Sequence, residues 1–144
     1  MKLLLEAWRR FTADEPMVVP TREEMVEFLM DNPEQTIHLD NPKGSKKGFG
    51  RTKKIPLPFD YGEYPDIINP ADNMGWDLII VPSAGKENNL LMPVGHVEYQ
   101  KDRYDKVGND KIIIAPSQQY SKEDRKIIEE FFNKLDGFEA VRWY

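Results

Sequence analysis

Two charged stretches lie back to back in this chain. Residues 43–54 hold Lys43, Lys46, Lys47, Arg51, Lys53 and Lys54 with no acid among them, and residues 60–77 hold Asp60, Glu63, Asp66, Asp72 and Asp77 with no Lys or Arg. Carboxylates gather hard divalent cations such as Mg²⁺, which prefer oxygen ligands. Lys and Arg complement anionic oxygens. An anion-attracting stretch thus directly precedes a cation-attracting one. Further acids, Asp102, Asp105 and Asp110, precede Lys111, which opens the apolar run Ile112-Ile113-Ile114. Each feature also has a plainer explanation. Asp72 and Asp77 could be loop acids, one of them capping a turn. Asp102 to Asp110 could be a mixed-charge hairpin tip, and Lys111 an edge-strand gatekeeper.

The elements that must position these side chains are short. Residues 2–13 read as an amphipathic helix with Leu4, Trp8 and Phe11 on one face. Thr21 to Glu24 form a capping-box signature for a second helix, which buries Met25, Phe28 and Leu29 and stops at Asn32-Pro33. Strands between turn residues follow. Ile37 and Leu39 alternate with His38 and Asp40, Leu78–Val81 ends at Pro82, Val94 and Val97 share a strand, and Lys111–Ile114 ends at Pro116. Ser121 caps a helix with Glu123 and Asp124 in its first turn, a stripe of Ile127, Ile128, Phe131, Phe132 and Leu135, and Gly137 as its stop. Phe138 to Tyr144 reads as a last strand. The expectation is an α+β chain, mainly β: a small barrel with helices outside it. Residues 1–34 would form a helical extension packed on that barrel or docking a partner, and 35–144 the domain proper.

Composition agrees with one globular unit. A domain of 144 residues buries about 68–70% of its unfolded surface. It is 40% apolar and 31% charged, and it has no cysteine for a disulfide, a thiolate zinc site or a thiol nucleophile. Glu6 and Arg9-Arg10 interrupt the opening apolar residues, so no signal-peptide core is read there. No apolar run reaches the ~20 residues that span a bilayer. A soluble, cytoplasmic protein without membrane contact is expected. The net charge of −5 disfavours generic nucleic-acid binding. His38 and His96, the only histidines, lack metal-ligand spacing and read as structural or solvent-facing.

Four stretches, in order, resemble the soluble, Mg²⁺-dependent inorganic pyrophosphatases. They are Ile37-His38-Leu39-Asp40-Asn41-Pro42-Lys43-Gly44-Ser45; Pro58-Phe59-Asp60-Tyr61-Gly62, similar to P-x-N-Y-G; Asp72-Asn73-Met74-Gly75-Trp76-Asp77, similar to D-x-D-P-x-D before an apolar strand; and Pro93-Val94-Gly95 followed by Asn109-Asp110-Lys111 and the Ser121 helix. The resemblance covers about residue 35 to the end. It implies a small closed OB-like barrel and hydrolysis of pyrophosphate to two phosphates with Mg²⁺, or alternatively Mn²⁺. It assigns Asp72, Asp77, Asp102, Asp105 and Asp110 to metal, and Lys46, Lys47, Arg51 and Lys111 to phosphate. Asp77, Tyr61 and Lys111 become catalytic, and Asp40 an outer partner of the site. It also implies homo-oligomers as a common assembly.

The chain departs from the pattern at Met74, which replaces the family's middle Asp, and at Asn109, Leu135 and Asp136. A thioether neither takes a proton nor binds Mg²⁺ well. Two other readings therefore stay open. One is a related fold that has lost this reaction and binds or cuts another phosphorylated ligand. The other is a non-enzymatic interaction protein. The leader resembles short openings of phage proteins, which would place the product in a host cytoplasm or a virion.

Overall fold

A computed structural model describes residues 16–48, 54–85, 90–99, 110–135 and 138–144. The expected helix at 2–13 lies outside them, as do Arg51, Asp102, Asp105, Asn109 and Asp136. The elements are β1 (Met17–Val18), α1 (Arg22–Asp31), β2 (His38–Asn41), β3 (Lys46–Lys47), β4 (Ile55–Pro56), β5 (Asp60–Asn69), β6 (Met74–Ile80), β7 (Leu91–Tyr99), β8 (Lys111–Pro116), α2 (Lys122–Asn133) and β9 (Phe138–Trp143). No described helix is long and apolar enough to cross a membrane.

Seven strands make one mixed sheet in the order β1-β5-β6-β8-β7-β9, with β2 also paired to β5, while β3 and β4 form a separate ribbon. The protein is mainly β, with a helix on each face of the sheet. Successive side chains on a strand point to opposite faces, and this alternation sorts the core into two layers. Phe59, Tyr61, Ile79, Val81, Ile113 and Ala115 pack with Ile128, Phe131 and Phe132 of α2. Tyr64, Trp76, Leu78, Ile80, Ile112 and Ile114 pack with Met25, Phe28 and Leu29 of α1. The central strand β8 is buried from Lys111 to Ala115, which explains its unbroken apolar run.

The expected closed barrel is replaced, among the described residues, by an open sheet. β1 and β2 take successive lengths of one edge of β5, β1 at Ile67–Ile68 and β2 at Tyr61–Glu63. At the other end β9 pairs with β7 from Gly95 to Tyr99. β9 is then the terminal strand, and no pairing among the described residues joins it to β1 or β2. The acidic stretch 60–77, expected as a loop, is the β5–β6 hairpin, with Tyr61 opposite Ile79 and Glu63 opposite Asp77. Leu39, read as one of an alternating apolar pair, is 41% exposed.

Both helices start at the expected caps, though at α1 the described hydrogen bonds include only the Thr21 half of the expected capping box. Thr21 accepts a hydrogen bond from the Glu24 backbone N–H at 3.2 Å. Ser121 and Asp124 form a reciprocal capping box, and the Asp124 carboxylate also accepts from the backbone N–H and the hydroxyl of Ser83. Residues 17–31, expected within an extension, supply a sheet strand and a helix to the core itself.

Gly62 lets β2 approach β5. A Cβ there would stand 2.2 Å from the backbone carbonyl oxygen of His38, and a backbone atom cannot swing aside as a side chain can. We expect Gly62→Ala to cost about 2 kcal/mol, the middle of the range for forced overpacking. A lowered urea midpoint with β2 displaced is the expected result, and an unchanged midpoint would contradict the close approach.

Candidate active site

Along three neighbouring strands the layer facing α2 changes from apolar to polar at the same row. β5 and the residues before it run Phe59, Tyr61, Glu63; β6 runs Asp77, Ile79, Val81; β8 runs Lys111, Ile113, Ala115, each series two residues apart. Antiparallel pairing sets His38 opposite Glu63 and Glu63 opposite Asp77. The parallel β6–β8 register, Leu78 with Ile112, brings Lys111 beside Asp77. His38, Glu63, Asp77 and Lys111 therefore form one row across four adjacent strands.

Asp77 is the centre of this row. Its Oδ2 lies 2.7 Å from Lys111 Nζ, and the Lys111 side chain is only 4% exposed. A buried ammonium stays charged only beside a counter-charge. The Tyr61 hydroxyl also donates to Asp77. Burial pushes the Tyr61 hydroxyl well above its ordinary pKa, and the charges of Asp77, Asp72 and Asp40 push it further. Tyr61 consequently remains a donor at any physiological pH.

Lys47 comes from the β3–β4 ribbon and stands 4.7 Å from the Tyr61 ring centroid, with Lys111 at 6.0 Å from the same ring. Both distances suit cation–π attraction. Burial lowers the Lys47 pKa; Asp77 and Asp40 oppose that shift while Lys111 adds to it. Asp60 fastens the preceding turn by accepting from the Lys43 backbone N–H at 2.6 Å. Lys46 points the other way and is exposed.

On the β2 side, His38 Nδ1 and Asp40 Oδ1 are 3.0 Å apart. One ligand atom from each of His38, Asp40 and Glu63 falls within 4.8 Å of the others. His38 and Asp40 stand two residues apart on β2, so strand alternation puts both on one face. Burial raises the Glu63 pKa, and the charges of Asp40, Asp77 and Asp72 raise it further against the opposing effect of His38. The four carboxylates thus repel one another, the electrostatic condition a bound cation relieves. Their donor set is oxygen-rich, which fits Mg²⁺; an imidazole at its edge suits Mn²⁺ as well.

The structure thus brings together Asp40, Tyr61, Asp77, Lys47 and Lys111 among the residues singled out from sequence, with Asp72 within electrostatic reach. Asp72 also caps the β5–β6 turn, accepting from the Met74 backbone N–H at 3.0 Å. Asp110 points to the opposite face, where Arg22 Nη1 donates to its carboxylate at 2.6 Å. Leu135 belongs to the core with α2, and Met74 is 60% exposed. The sequence reading counted Glu63 among the acids of 60–77 without assigning it to the site and took His38 as structural or solvent-facing, whereas both lie beside Asp40. The signal for Glu63 was its spacing of two from Tyr61; for His38 it was the spacing of two from Asp40.

Behind the sheet, His96 is buried. Its Nδ1 lies 2.8 Å from the Tyr144 hydroxyl and its Nε2 lies 3.1 Å from Glu98. Burial lowers its pKa below the ordinary 6.5, helped by Arg22 and opposed by Glu98 and Asp110. The unfolded chain therefore binds the proton first as pH falls, so stability declines with falling pH from about 6.5 down to the folded value. His96→Gln is expected to flatten that part of the pH–stability curve. A wild-type curve already flat there would contradict a neutral buried imidazole.

No known protein-family model matches this chain, and no curated protein matches it.

Proposed function

We propose that this chain hydrolyses inorganic pyrophosphate to two phosphates with Mg²⁺, as its resemblance to the soluble pyrophosphatases implies. The observation that carries the reading is the convergence of Asp77, Lys111, Tyr61 and Lys47 at one end of the sheet layer, next to the acids of β2 and β5. Opposite charges held side by side suit a substrate that is a polyanion escorted by a cation.

Hydrolysis of a phosphoanhydride requires positioning, neutralised oxygens and a nucleophilic water more than covalent help from protein. Asp40 and Glu63, with His38 beside them, are the side chains close enough to share a divalent cation, and Asp77 and Asp72 would add negative charge next to it. When bound, that cation supplies Lewis acidity and a water of lowered pKa. Lys47 and Lys111 neutralise phosphate oxygens from the other side. The Tyr61 hydroxyl orients the Asp77 carboxylate, and its ring walls off bulk water between the two lysines. Burial and the neighbouring acids raise the Glu63 pKa above the ordinary carboxylate value, so like charge is concentrated at this end of the row.

A second reading follows from Met74. It puts an exposed thioether on the hairpin where the family pattern has an acid, which favours a site that binds a phosphorylated ligand without turnover. Phosphate release from pyrophosphate, measured with and without Mg²⁺ and alongside Asp77→Asn, separates the two. Mg²⁺-dependent release lost in the variant supports hydrolysis. Equal rates in all three samples overturn it, and Mg²⁺-dependent ligand binding without release selects the second reading.

A further inference from the structure

We propose that Arg22 is a positioning residue for Lys111: it neutralises two facing acids at the end of the β7–β8 ladder and so fixes where the Lys111 ammonium stands on the other side of the sheet. This rests on the reading that gives Lys111 to the anionic ligand, and it names what holds that lysine in place.

Val97 pairs with Lys111 at this end of the ladder, while the parallel pairing with β6 begins one residue further on, at Leu78 with Ile112. Lys111 therefore stands at the margin of what the sheet itself secures. One step past the Val97–Lys111 pair come Glu98 and Asp110, and alternation turns both to the α1 face. Like charges directly opposite one another destabilise a strand pair. Both acids are largely withdrawn from water, with side chains 22% and 10% exposed. Glu98 stays ionised there. Its hydrogen bond to His96 lowers its pKa against the effect of burial, and the charges of Arg142 and Arg22 lower it further.

Arg22 supplies the counter-charge from α1. Its Nη1 lies 2.6 Å from Asp110 Oδ2 and 3.8 Å from Glu98 Oε1, and its Nη2 lies 2.8 Å from Glu23. Without that charge, Glu98 and Asp110 push the strands apart at the pair that carries Lys111. The ammonium then leaves its place 2.7 Å from Asp77 Oδ2 and beside the Tyr61 ring. Arg22 lies ahead of residue 35, outside the resemblance, so this support belongs to this chain's own design.

Acylation of Lys111 by a small amine-reactive reagent, followed by peptide mass mapping, tests this in the full chain, with exposed Lys122 as reference. Arg22→Gln is expected to label Lys111 about fivefold faster, within the usual range for residues coupled through one network. Adding Glu98→Gln removes the facing charge and keeps a partner for His96. It is expected to return labelling to the wild-type rate, which the mere loss of a contact between α1 and β8 would not do. Wild-type labelling in Arg22→Gln overturns the proposal, and so does faster labelling that persists in the double variant. If circular dichroism shows Arg22→Gln unfolded, a folded double variant with wild-type labelling supports the proposal and an unfolded one overturns it. A protein that releases no phosphate fails the hydrolysis reading alone, because labelling needs no turnover. Where release occurs, the pyrophosphate KM should rise about fivefold in Arg22→Gln with kcat nearly unchanged, as for an interaction made equally with substrate and transition state. An unchanged KM overturns the link to the anionic ligand.

Discussion

Asp77→Asn is expected to lower Mg²⁺-dependent phosphate release from pyrophosphate by about a thousandfold, the scale on which removing one preorganised electrostatic group acts. The substitution keeps the shape of the side chain and removes its charge. A divalent cation at the neighbouring acids loses one negative charge beside it, the Tyr61 hydroxyl loses a charged acceptor, and Lys111 loses the carboxylate it pairs with at 2.7 Å. Breaking a buried pair by removing one partner costs roughly 3–5 kcal/mol. Asp77 still reaches water, with 23% of its side chain exposed, so the stability loss is expected at about 2–3 kcal/mol on the same scale. Circular dichroism before and after the assay separates the two effects. A folded variant that releases phosphate at the wild-type rate would contradict the role given to Asp77.

The largest expected effect on stability is at Phe59. Its side chain is fully buried, meets Phe131 edge-on at 5.1 Å between ring centroids, and stacks on Phe132 at 5.8 Å. It thereby fastens α2 to the sheet, two residues before Tyr61 on the same face. Phe59→Ala should cost about 4 kcal/mol, since a buried phenyl ring is lost and its cavity cannot fully collapse. For a domain of this length that lowers the melting temperature by about 8–16 °C. Met74→Ala, on an exposed side chain, serves as the control and should shift it little. A small shift for Phe59→Ala would mean that α2 docks through other contacts.

How legible all this was in the sequence depended on range. Features set by neighbours along the chain were readable. The Ser121–Asp124 capping box, the Thr21 cap, the apolar runs of β6 and β8 and the buried stripe of α2 each follow from local spacing, and the structure contains them. Features set by pairing were not. β5 runs for ten residues through Gly62, Glu63, Pro65 and Asp66, residues that locally argue for a turn; β2 and β6 hold Tyr61 to Glu63 from both sides, and Pro65 and Asp66 fall in an irregularity of the β5–β6 ladder. The strand that flanks β7 is likewise set at long range, because β9 pairs with it from about 40 residues away in sequence.

The site divides in the same way. Asp77, Tyr61, Lys47 and Lys111 were singled out in the sequence, and strand register sets them side by side. Glu63 and His38 join only through the cross-strand pairing of β2 with β5. Asp110 looked equivalent to the other acids, yet one step along β8 from Lys111 is enough to turn it to the opposite face. There it meets Arg22, a partner 88 residues away. A shift of one residue exchanges the two faces of a strand, and composition carries no record of that shift.

One assay bears most directly on the idea that acids of adjoining strands work together with Lys47 and Lys111 on a doubly phosphorylated anion. Wild-type protein is given pyrophosphate in Mg²⁺, the cation is stripped with chelator, and Mg²⁺ is then restored in the same sample. Phosphate should appear, stop, and resume. Phosphate that never appears, or that keeps accumulating through the chelated interval, would contradict the account.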